Sequence, residues 1–444
     1  MAQPTETETV SNPWSTAVRL LTQWLEEGER VDTLLDQLPR TVVGQDRARC
    51  QSLLYGTVRH FGRLQAHLER LVARPPRPRL QAILSVAGYE MIDGGDEHHV
   101  ARVVHHAVEQ AKTLASEAEA RLVNAVLRKL GAELARETEP PKLASAEVLA
   151  PYYSHPEWLV RRWLTQFGAT STRALLEWNQ RPAVVYARWR LLDRAPSPEE
   201  LVYLAPTSWE TYYEIRPGHW PDVTKLIEAG VIYLQDPSTK LSIQLLDPEP
   251  GETILDGCAA PGGKSVAIAD AMLRGRPDAT GVSAGRIIAF DLPTVRIERL
   301  KENLARVRGV DVAIVQGDLS EGAGGVLKLH ELPHQYSAVL LDVPCSNTGV
   351  MRHRVDVRWR LQENDMAKHG RQQLALLNAA SRLLSPKGRL VYSTCSLDAE
   401  ENEQVVNTFL GRAGDRFRLI KSEISRPWET GYDGAAAFLI QRFS

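Results

Sequence analysis

Thr253-Ile-Leu-Asp-Gly-Cys-Ala-Ala-Pro-Gly-Gly-Lys-Ser265, followed by Val266-Ala-Ile-Ala-Asp-Ala-Met-Leu273, sets the fold of the larger half of this chain. A short apolar strand runs into a glycine-bearing turn, and the turn opens an apolar helix. Gly262 and Gly263 let the backbone turn tightly and approach a ligand, and the helix that follows starts with free backbone donors. The stretch is not a P-loop, because Pro261 interrupts it and the Gly-x4-Gly-Lys-Ser/Thr spacing is absent, and its glycines do not follow the dinucleotide spacing either.

Outward from this turn, short apolar strands alternate with helices. Thr253 to Asp256, Ile287 to Asp291, Val312 to Gln316, Ala338 to Asp342, Gly388 to Ser393 and Ala437 to Gln441 read as strands, with helices over Thr294 to Val307 and Gln362 to Leu384. This alternation predicts an α/β domain with a mostly parallel, doubly covered sheet, which binds ligands at the carboxyl ends of its strands. Asp291 closes the second strand and Asp318 follows the third, where carboxylates can accept from ribose hydroxyls and meet an adenine. Helix caps and solvated loops are the alternative for such aspartates.

Two cysteines also fall at strand ends. Asp342-Val-Pro-Cys345 follows the fourth strand and Tyr392-Ser-Thr-Cys395 the fifth, so adjacent parallel strands would deliver both thiols to one rim. A thiolate there can attack an electron-poor ring carbon. A small buried hydrophobe is the other reading of a free cysteine, and it is the one that Ala259 and Ala260 suggest for Cys258. No metal is expected, since two cysteines 50 residues apart without paired His or Cys ligands make an incomplete zinc set.

The rest of the chain is organised differently. Residues 1–140 are helical in pattern, with apolar repeats of three and four over Thr16 to Glu27, Gln45 to Leu71, His98 to Leu114 and Ser116 to Leu130, divided by Pro75, Pro76 and Pro78. Residues 141–247 read as a small linking subdomain, with a helix from His155 to Phe167 and strands at Val184 to Leu192 and Val231 to Leu234. Residues 248–444 form the α/β domain. The 444 residues, 43% of them hydrophobic, suffice for more than one core, and 53 basic against 55 acidic residues exclude an indiscriminate nucleic-acid coat. Four scattered cysteines point to a reducing compartment, no apolar run approaches the roughly 18 residues that span a bilayer, and Met1 to Asn12 is polar rather than a basic, apolar leader, so a cytoplasmic location is expected. The Gly- and Pro-rich Arg274 to Gly285 reads as a mobile loop.

Asp256 to Lys264, Asp342-Val-Pro-Cys-Ser346 and Tyr392-Ser-Thr-Cys-Ser396 together resemble the signature motifs of the NOL/NOP/Sun family of RNA cytosine-5 methyltransferases. Gln235-Asp-Pro-Ser238 and Arg299-Leu300 with Asn303 match further positions. Tyr55-Gly-Thr-Val-Arg59, Ala107-Val-Glu109 with Lys112, and Val123 to Arg128 are similar to the NusB-like domain of the bacterial small-subunit ribosomal RNA branch, as is Tyr153 to Trp158 in the linker. The resemblance implies an all-helical NusB-like domain, a linker, and a Rossmann-like class I methyltransferase domain with a mostly parallel seven-stranded sheet. It implies S-adenosylmethionine as cofactor and 16S ribosomal RNA as substrate, with no membrane, no obligatory protein partner and a monomeric state.

Residue roles follow from the same likeness. Cys395 would add to cytosine C6, Cys345 would assist loss of the C5 proton and release, and Asp342 would hold the base edge. Cys258, Ala259, Ala260, Pro261, Gly262, Gly263, Asp291, Arg296, Asp318 and Asp342 would surround the cofactor. Lys264 would face the methionine carboxylate or position Asp342 and the base; the sequence leaves both open. Gly257, Val343 and Trp189 depart from the family pattern, and Trp189 puts one polar contact of the linker in doubt.

Six arginines between Arg59 and Arg79, including Arg63, stand against one acid, Glu69, and Arg352, Arg354, Arg358 and Arg360 stand against Asp356. Both windows read as phosphate-binding surface, with Arg59, Arg63, Arg352, Arg354 and Arg358 as the RNA contacts, or else as solvated helix faces. Trp359 would stack on a nucleotide or pack against the protein. A transfer RNA methyltransferase and a non-catalytic RNA-binding assembly factor are the competing functions.

Overall fold

The computed structural model describes residues 12–39, 41–94, 96–274 and 283–443. Most of Met1 to Asn12, and residues 275–282 of the loop expected to be mobile, lie outside them. The chain forms two compact units, residues 1–182 with 351–361, and residues 183–350 with 362–444. The boundary therefore falls inside the expected linker. Its helices, Ala146–Tyr152 and Glu157–Gln180, belong to the first unit, and its strands belong to the second.

The first unit is helical, as its three-and-four apolar spacing predicts. Pro13–Glu27 is capped by Asn12, whose side chain accepts from Trp14 N at 2.9 Å, and ends at Gly28 in the left-handed region. The expected helix over Gln45 to Leu71 is two, Gly44–Arg59 and Phe61–Leu71, which meet at His60. Pro78–Asp93 supplies Leu80, Ile83, Leu84 and Ala87 to the core, and at Gly56 the chain passes so close to the Tyr89 ring that a Cβ there would lie 2.0 Å from it. Glu97–Leu114 and Glu117–Arg136 complete the core with Val103, Val104, Val123 and Leu127.

The second unit carries two sheets. A small antiparallel sheet orders its strands Leu204–Pro206, Tyr212–Ile215, Tyr186–Trp189 and Ile232–Leu234. Trp189, the departure noted in the linker, is buried and donates to Arg194 O at 2.8 Å. The main sheet has seven strands: β1 Thr253–Asp256, β2 Arg286–Asp291, β3 Asp311–Gln316, β4 Tyr336–Asp342, β5 Leu384–Thr394, β6 Phe417–Ser425 and β7 Ala435–Arg442, in the order β6-β7-β5-β4-β1-β2-β3. β7 pairs antiparallel with both β6 and β5, and all other pairs are parallel.

Alternation along each strand fills both faces. Ile254, Ile287 and Ala289 pack with Val266, Ile268 and Leu300, whereas Leu255, Ile288 and Phe290 pack with Leu377, Val406 and Phe409. Strands buried on both sides read as continuous apolar runs, which is why six of the seven were visible in sequence. The seventh, β6, is an edge strand with exposed residues from Arg418 to Ser422 and lacks that signature. Strand order reverses between β1 and β4, and the crevice at their carboxyl ends is the expected ligand position.

Candidate active site

The turn after β1 is held from three sides. Gly257 N donates to Leu340 O, Ala259 N to Phe290 O, and Ala260 N to Asp291 Oδ2 at 2.8 Å. Gly262 has φ +106°, a conformation that demands glycine, and its carbonyl accepts from Val266 N as the helix Gly263–Arg274 begins. Pro261 O accepts from Asn303 Nδ2 at 2.8 Å. Asp291 is buried, with Oδ1 accepting from Leu292 N, so its remaining lone pairs are fixed in direction. Asp318 is half-buried and accepts from Ser320 N and Oγ within its own turn, and Arg296 is exposed at the start of Arg296–Leu304.

Three of the strand ends bring their chemistry into one cluster. Lys264 Nζ donates to Asp342 Oδ2 at 2.7 Å, and Ser393 Oγ donates to Asp342 Oδ1 at 2.8 Å, so the carboxylate at the end of β4 is oriented by β5 and by the turn after β1. Burial disfavours the Lys264 charge, but the Asp342 carboxylate more than offsets it, and the lysine pKa is raised; the Cys395 side chain pushes it the same way. Cys345 and Cys395 follow β4 and β5, which pair in parallel with Asp342 opposite Ser393, and their sulfurs are 3.2 Å apart.

The two thiols are not equivalent. Cys345 is buried, and the hydrogen bond to Cys395, followed by burial, pushes its pKa well above the ordinary value. Cys345 therefore keeps its proton. Cys395 is more accessible, and its thiol donates to Asn347 Oδ1 at 3.3 Å. Asn347, at φ +63°, donates in turn to Cys345 O at 2.8 Å. Once Cys395 loses its proton, Cys345 remains as a hydrogen-bond donor to the sulfur and Lys264 as a cation that interacts with it. Cys258 is half-buried, and burial raises its pKa well above the ordinary value, which fits packing rather than nucleophilic use.

A buried polar network fastens the loops that carry the thiols. Glu401 accepts from Ser346 N at 2.8 Å and Gln373 Nε2 at 3.1 Å through one oxygen, and from the Ser346 and Ser396 hydroxyls through the other. Ser346 and Ser396 each follow a cysteine, so one carboxylate ties both loops together. Thr348 adds a bond to Asp398 at 2.7 Å, and Gly349 N donates to Cys395 O at 2.9 Å. Glu401, Asn347 and Ser393 were not singled out in the sequence. Ser393 and Asn347 lie beside the cysteine motifs, whereas Glu401, in Glu400-Glu401-Asn402, has no pattern that distinguishes it from a solvated acid.

The donor set around the turn suits a cationic ligand. Asp256, Asp291 and Asp342 act on one another or on Cys258, against Lys264 and the exposed Arg296. Asp256 is fully buried; Ser265 Oγ donates to one oxygen at 2.6 Å, and the other has no protein partner.

The expected RNA-contacting arginines are a correction. Arg358 is fully buried and donates to Ser154 O, Asn179 O and Met351 O; Arg352 is buried over the Trp178 ring and donates to Pro182 O; Arg59 is buried and donates to Arg352 O. All three hold residues 351–361 within the helical unit, and Trp359 packs there on Phe61 and donates to Val58 O at 2.9 Å instead of meeting a base. Arg63 pairs with Glu137, Arg70 with Glu133 and Arg77 with Glu119. Of the five named contacts only Arg354 is exposed.

Residues 243–438 match the family described as 16S rRNA methyltransferase RsmB/F, and residues 11–132 match the NusB family. Ribosomal RNA small subunit methyltransferase B of Yersinia enterocolitica is 30% identical over 413 residues, 90% of this chain and 90% of that protein. The Serratia proteamaculans protein of the same description is 29% identical over 422 residues, 92% of each. Among solved structures, PH0851 superposes with a TM-score of 0.75 at 22% identity, covering 98% of this chain and all of that one. A methyltransferase homologue from Pyrococcus horikoshii gives 0.54 at 24%, covering 69% of this chain and all of that one. Both structural likenesses concern the fold.

Proposed function

Because the chain belongs to the ribosomal RNA small subunit methyltransferase B family, we propose that it methylates C5 of a cytosine in 16S ribosomal RNA with S-adenosylmethionine, through a covalent cysteine adduct. The observation that carries the reading is the thiol pair, 3.2 Å apart, beside a lysine-oriented carboxylate at the switch point of the sheet. Cytosine C5 is a poor nucleophile until a group adds at C6, and the more accessible thiol, Cys395, is the group that can add.

Asp342 and Lys264 hold the base edge. Lys264 and Ser393 occupy both oxygens of Asp342, so the carboxylate is fixed before the base arrives, and this pre-orientation stabilises the proton or charge that develops near N3. S-adenosylmethionine, when bound, supplies an electrophilic methyl group. The residues present fit it: Asp256 keeps a buried oxygen without a protein partner that an ammonium could satisfy, Asp291 suits the ribose, Asp318 the adenine, and Ala260 to Gly263 the methionine end, with Cys258 and Arg296 nearby. Cys345, a thiol at neutral pH, takes part after methylation. As C5 loses its proton the C5–C6 double bond re-forms and Cys395 leaves C6 with the bonding pair; the Cys345 thiol passes its proton to the departing Cys395 sulfur and takes the C5 proton in its place, directly or through water. Two thiols that must stay reduced suit the cytoplasm.

The test is methyl transfer. Purified protein with labelled S-adenosylmethionine, unmodified 16S ribosomal RNA and bulk transfer RNA is expected to place label on one ribosomal cytosine, mapped as 5-methylcytosine by nuclease digestion and mass spectrometry. Label in transfer RNA alone overturns the substrate, and label at another atom overturns the chemistry. Cys395→Ala is expected to abolish transfer while sparing cofactor binding, and Cys345→Ser to accumulate a denaturation-resistant protein–RNA adduct; turnover by the first variant overturns the nucleophile assignment.

A further inference from the structure

Where the helices Asp365–Arg382 and Glu403–Ala413 end, the second unit has a cleft of about 380 Å³ into which Arg382, Arg412, Arg416 and Arg442 converge. Gln335, just before β4, also lines it, and so does Phe417, the first residue of β6, so the cleft lies at the amino ends of the strands, opposite the thiols. Among the described residues no carboxylate lines it. Arg416 Nε donates to Ala413 O at 3.1 Å and Arg442 Nη1 to Leu384 O at 2.5 Å, which fixes the direction of two of the guanidinium groups. Arg382, Arg412 and Arg416 are exposed, and none forms an ion pair among the described residues.

Cations in the last turn of a helix have a plain structural use, neutralising the helix carbonyl end, and Arg382 and Arg412 occupy such turns. Magnitudes limit that account. Two helix ends supply about half an elementary charge each, about one negative charge in all, against the three guanidinium groups of Arg382, Arg412 and Arg416, which leaves a surplus of roughly two positive charges. Guanidinium forks match phosphate oxygens in pairs, and Asn378 and Ser381 add polar groups to the same wall. Phe409 and Phe417 also line the cleft but are buried, which leaves no ring face on which a base could stack.

We infer that this cleft holds backbone phosphates of the substrate RNA, as a sequence-independent contact remote from the reacting cytosine. The inference rests on the RNA substrate proposed above. β4, seven residues long, separates the two ends of the sheet by about 20 Å at about 3.3 Å per residue. That is about six nucleotides of a helical strand at about 3.4 Å each, so the contact serves a long RNA and not the target loop alone.

Two measurements test it on the full chain with unmodified 16S ribosomal RNA as probe. Replacing Arg382 and Arg412 with Gln is expected to flatten the dependence of log Kd on log salt by about 1.4 to 1.8, for two phosphate contacts, and to weaken binding roughly tenfold near physiological salt. S-adenosylmethionine binding and the rate at saturating RNA are expected to stay as in wild type, and Lys at both positions to restore most of the slope. In the wild-type protein, the RNA is expected to protect Arg382, Arg412 and Arg416 from phenylglyoxal, read by mass spectrometry. An unchanged slope in a variant that still binds cofactor, or no protection of these arginines in wild type, overturns the inference. Protection without methyl transfer to any RNA sinks the proposed reaction and leaves the cleft standing; methyl transfer without protection does the reverse.

Discussion

Asp256 shows how far a single side chain can be displaced from its ordinary behaviour by the fold around it. Burial, opposed by the Ser265 hydroxyl and reinforced by the Asp342 and Asp291 charges, pushes its carboxyl up to about 7. Between about pH 4 and 7 the folded protein holds a proton that the unfolded chain has released, so this residue makes stability fall as pH rises through that window; below it the penalty is absent, and above about 7 it is complete. The difference of about three pKa units corresponds to a cost of order 4 kcal/mol. Asp256→Asn, which mimics the neutral carboxyl, is therefore expected to gain stability relative to wild type as pH rises from 4 to 7 and to hold a constant margin above; thermal unfolding of both proteins across that range checks it, and a pH-independent difference would refute it. Lys264 behaves in the opposite sense. Its raised pKa keeps it charged throughout neutral pH, so it contributes no titration there. Lys264→Met leaves Asp342 with Ser393 alone, and the expected loss is roughly 100- to 1,000-fold in kcat, comparable with removing one pre-oriented donor to a developing charge. A change confined to KM would show that the lysine serves binding only.

At the scale of elements, the site depends on two loops being held in register. β4 and β5 bring Cys345 and Cys395 to the same rim, but parallel pairing ends at Asp342 and Ser393, and beyond it the loops are fastened by Glu401. Burial raises the Glu401 pKa, against the hydrogen bonds from Ser346 and Ser396 that favour its charged form. Glu401→Ala is expected to cost about 3 kcal/mol, because it leaves several buried donors without an acceptor. Glu401→Gln keeps the shape but turns an amide toward the Ser346 N–H or the two hydroxyls, so it is expected to fold, bind cofactor normally and methylate at least tenfold more slowly. Thermal unfolding together with single-turnover rates separates the two effects, and a Gln variant with the wild-type rate would limit Glu401 to a stability role. This network also marks where legibility in sequence ends. The strand-end cysteines, Asp342 and the glycine turn were readable because continuous apolar runs fix where buried strands stop, and the residues after a strand end carry the chemistry. Glu401 was not, since an acid becomes a structural staple only through partners 28 and 55 residues away that no periodicity connects. β6 was missed for the same kind of reason: pairing with β7 on one side only leaves its charged residues in solvent.

At the scale of the whole chain, charge counted along a window misled where charge counted in space does not. The Arg59 to Arg79 window shows one acid, yet Glu119, Glu133 and Glu137 arrive from beyond residue 115 to pair with Arg77, Arg70 and Arg63. The Arg352 to Arg360 window follows a cysteine loop of the second unit in sequence, yet it is folded into the helical unit, with Val355 in its core and Arg358 spread over three carbonyls. Burial lowers the Arg358 pKa to about 9, so a full charge is kept inside at neutral pH, hydrogen-bonded only to carbonyls and opposed in charge by the nearby Asp356 carboxylate. A lysine has the charge but not the planar fork, and one ammonium cannot span acceptors that arrive from residues 154, 179 and 351. Arg358→Lys and Arg358→Met are thus both expected to destabilise the helical unit by about 3 kcal/mol or more, through carbonyls left without donors. The salt dependence of RNA binding by the folded fraction is expected to stay as in wild type, because this guanidinium has no exposed surface to offer a phosphate. Thermal unfolding and salt-dependent binding, measured on the same preparation, discriminate: a lowered melting temperature with an unchanged slope fits a structural arginine, whereas an unchanged melting temperature with a flattened slope would return Arg358 to the RNA surface.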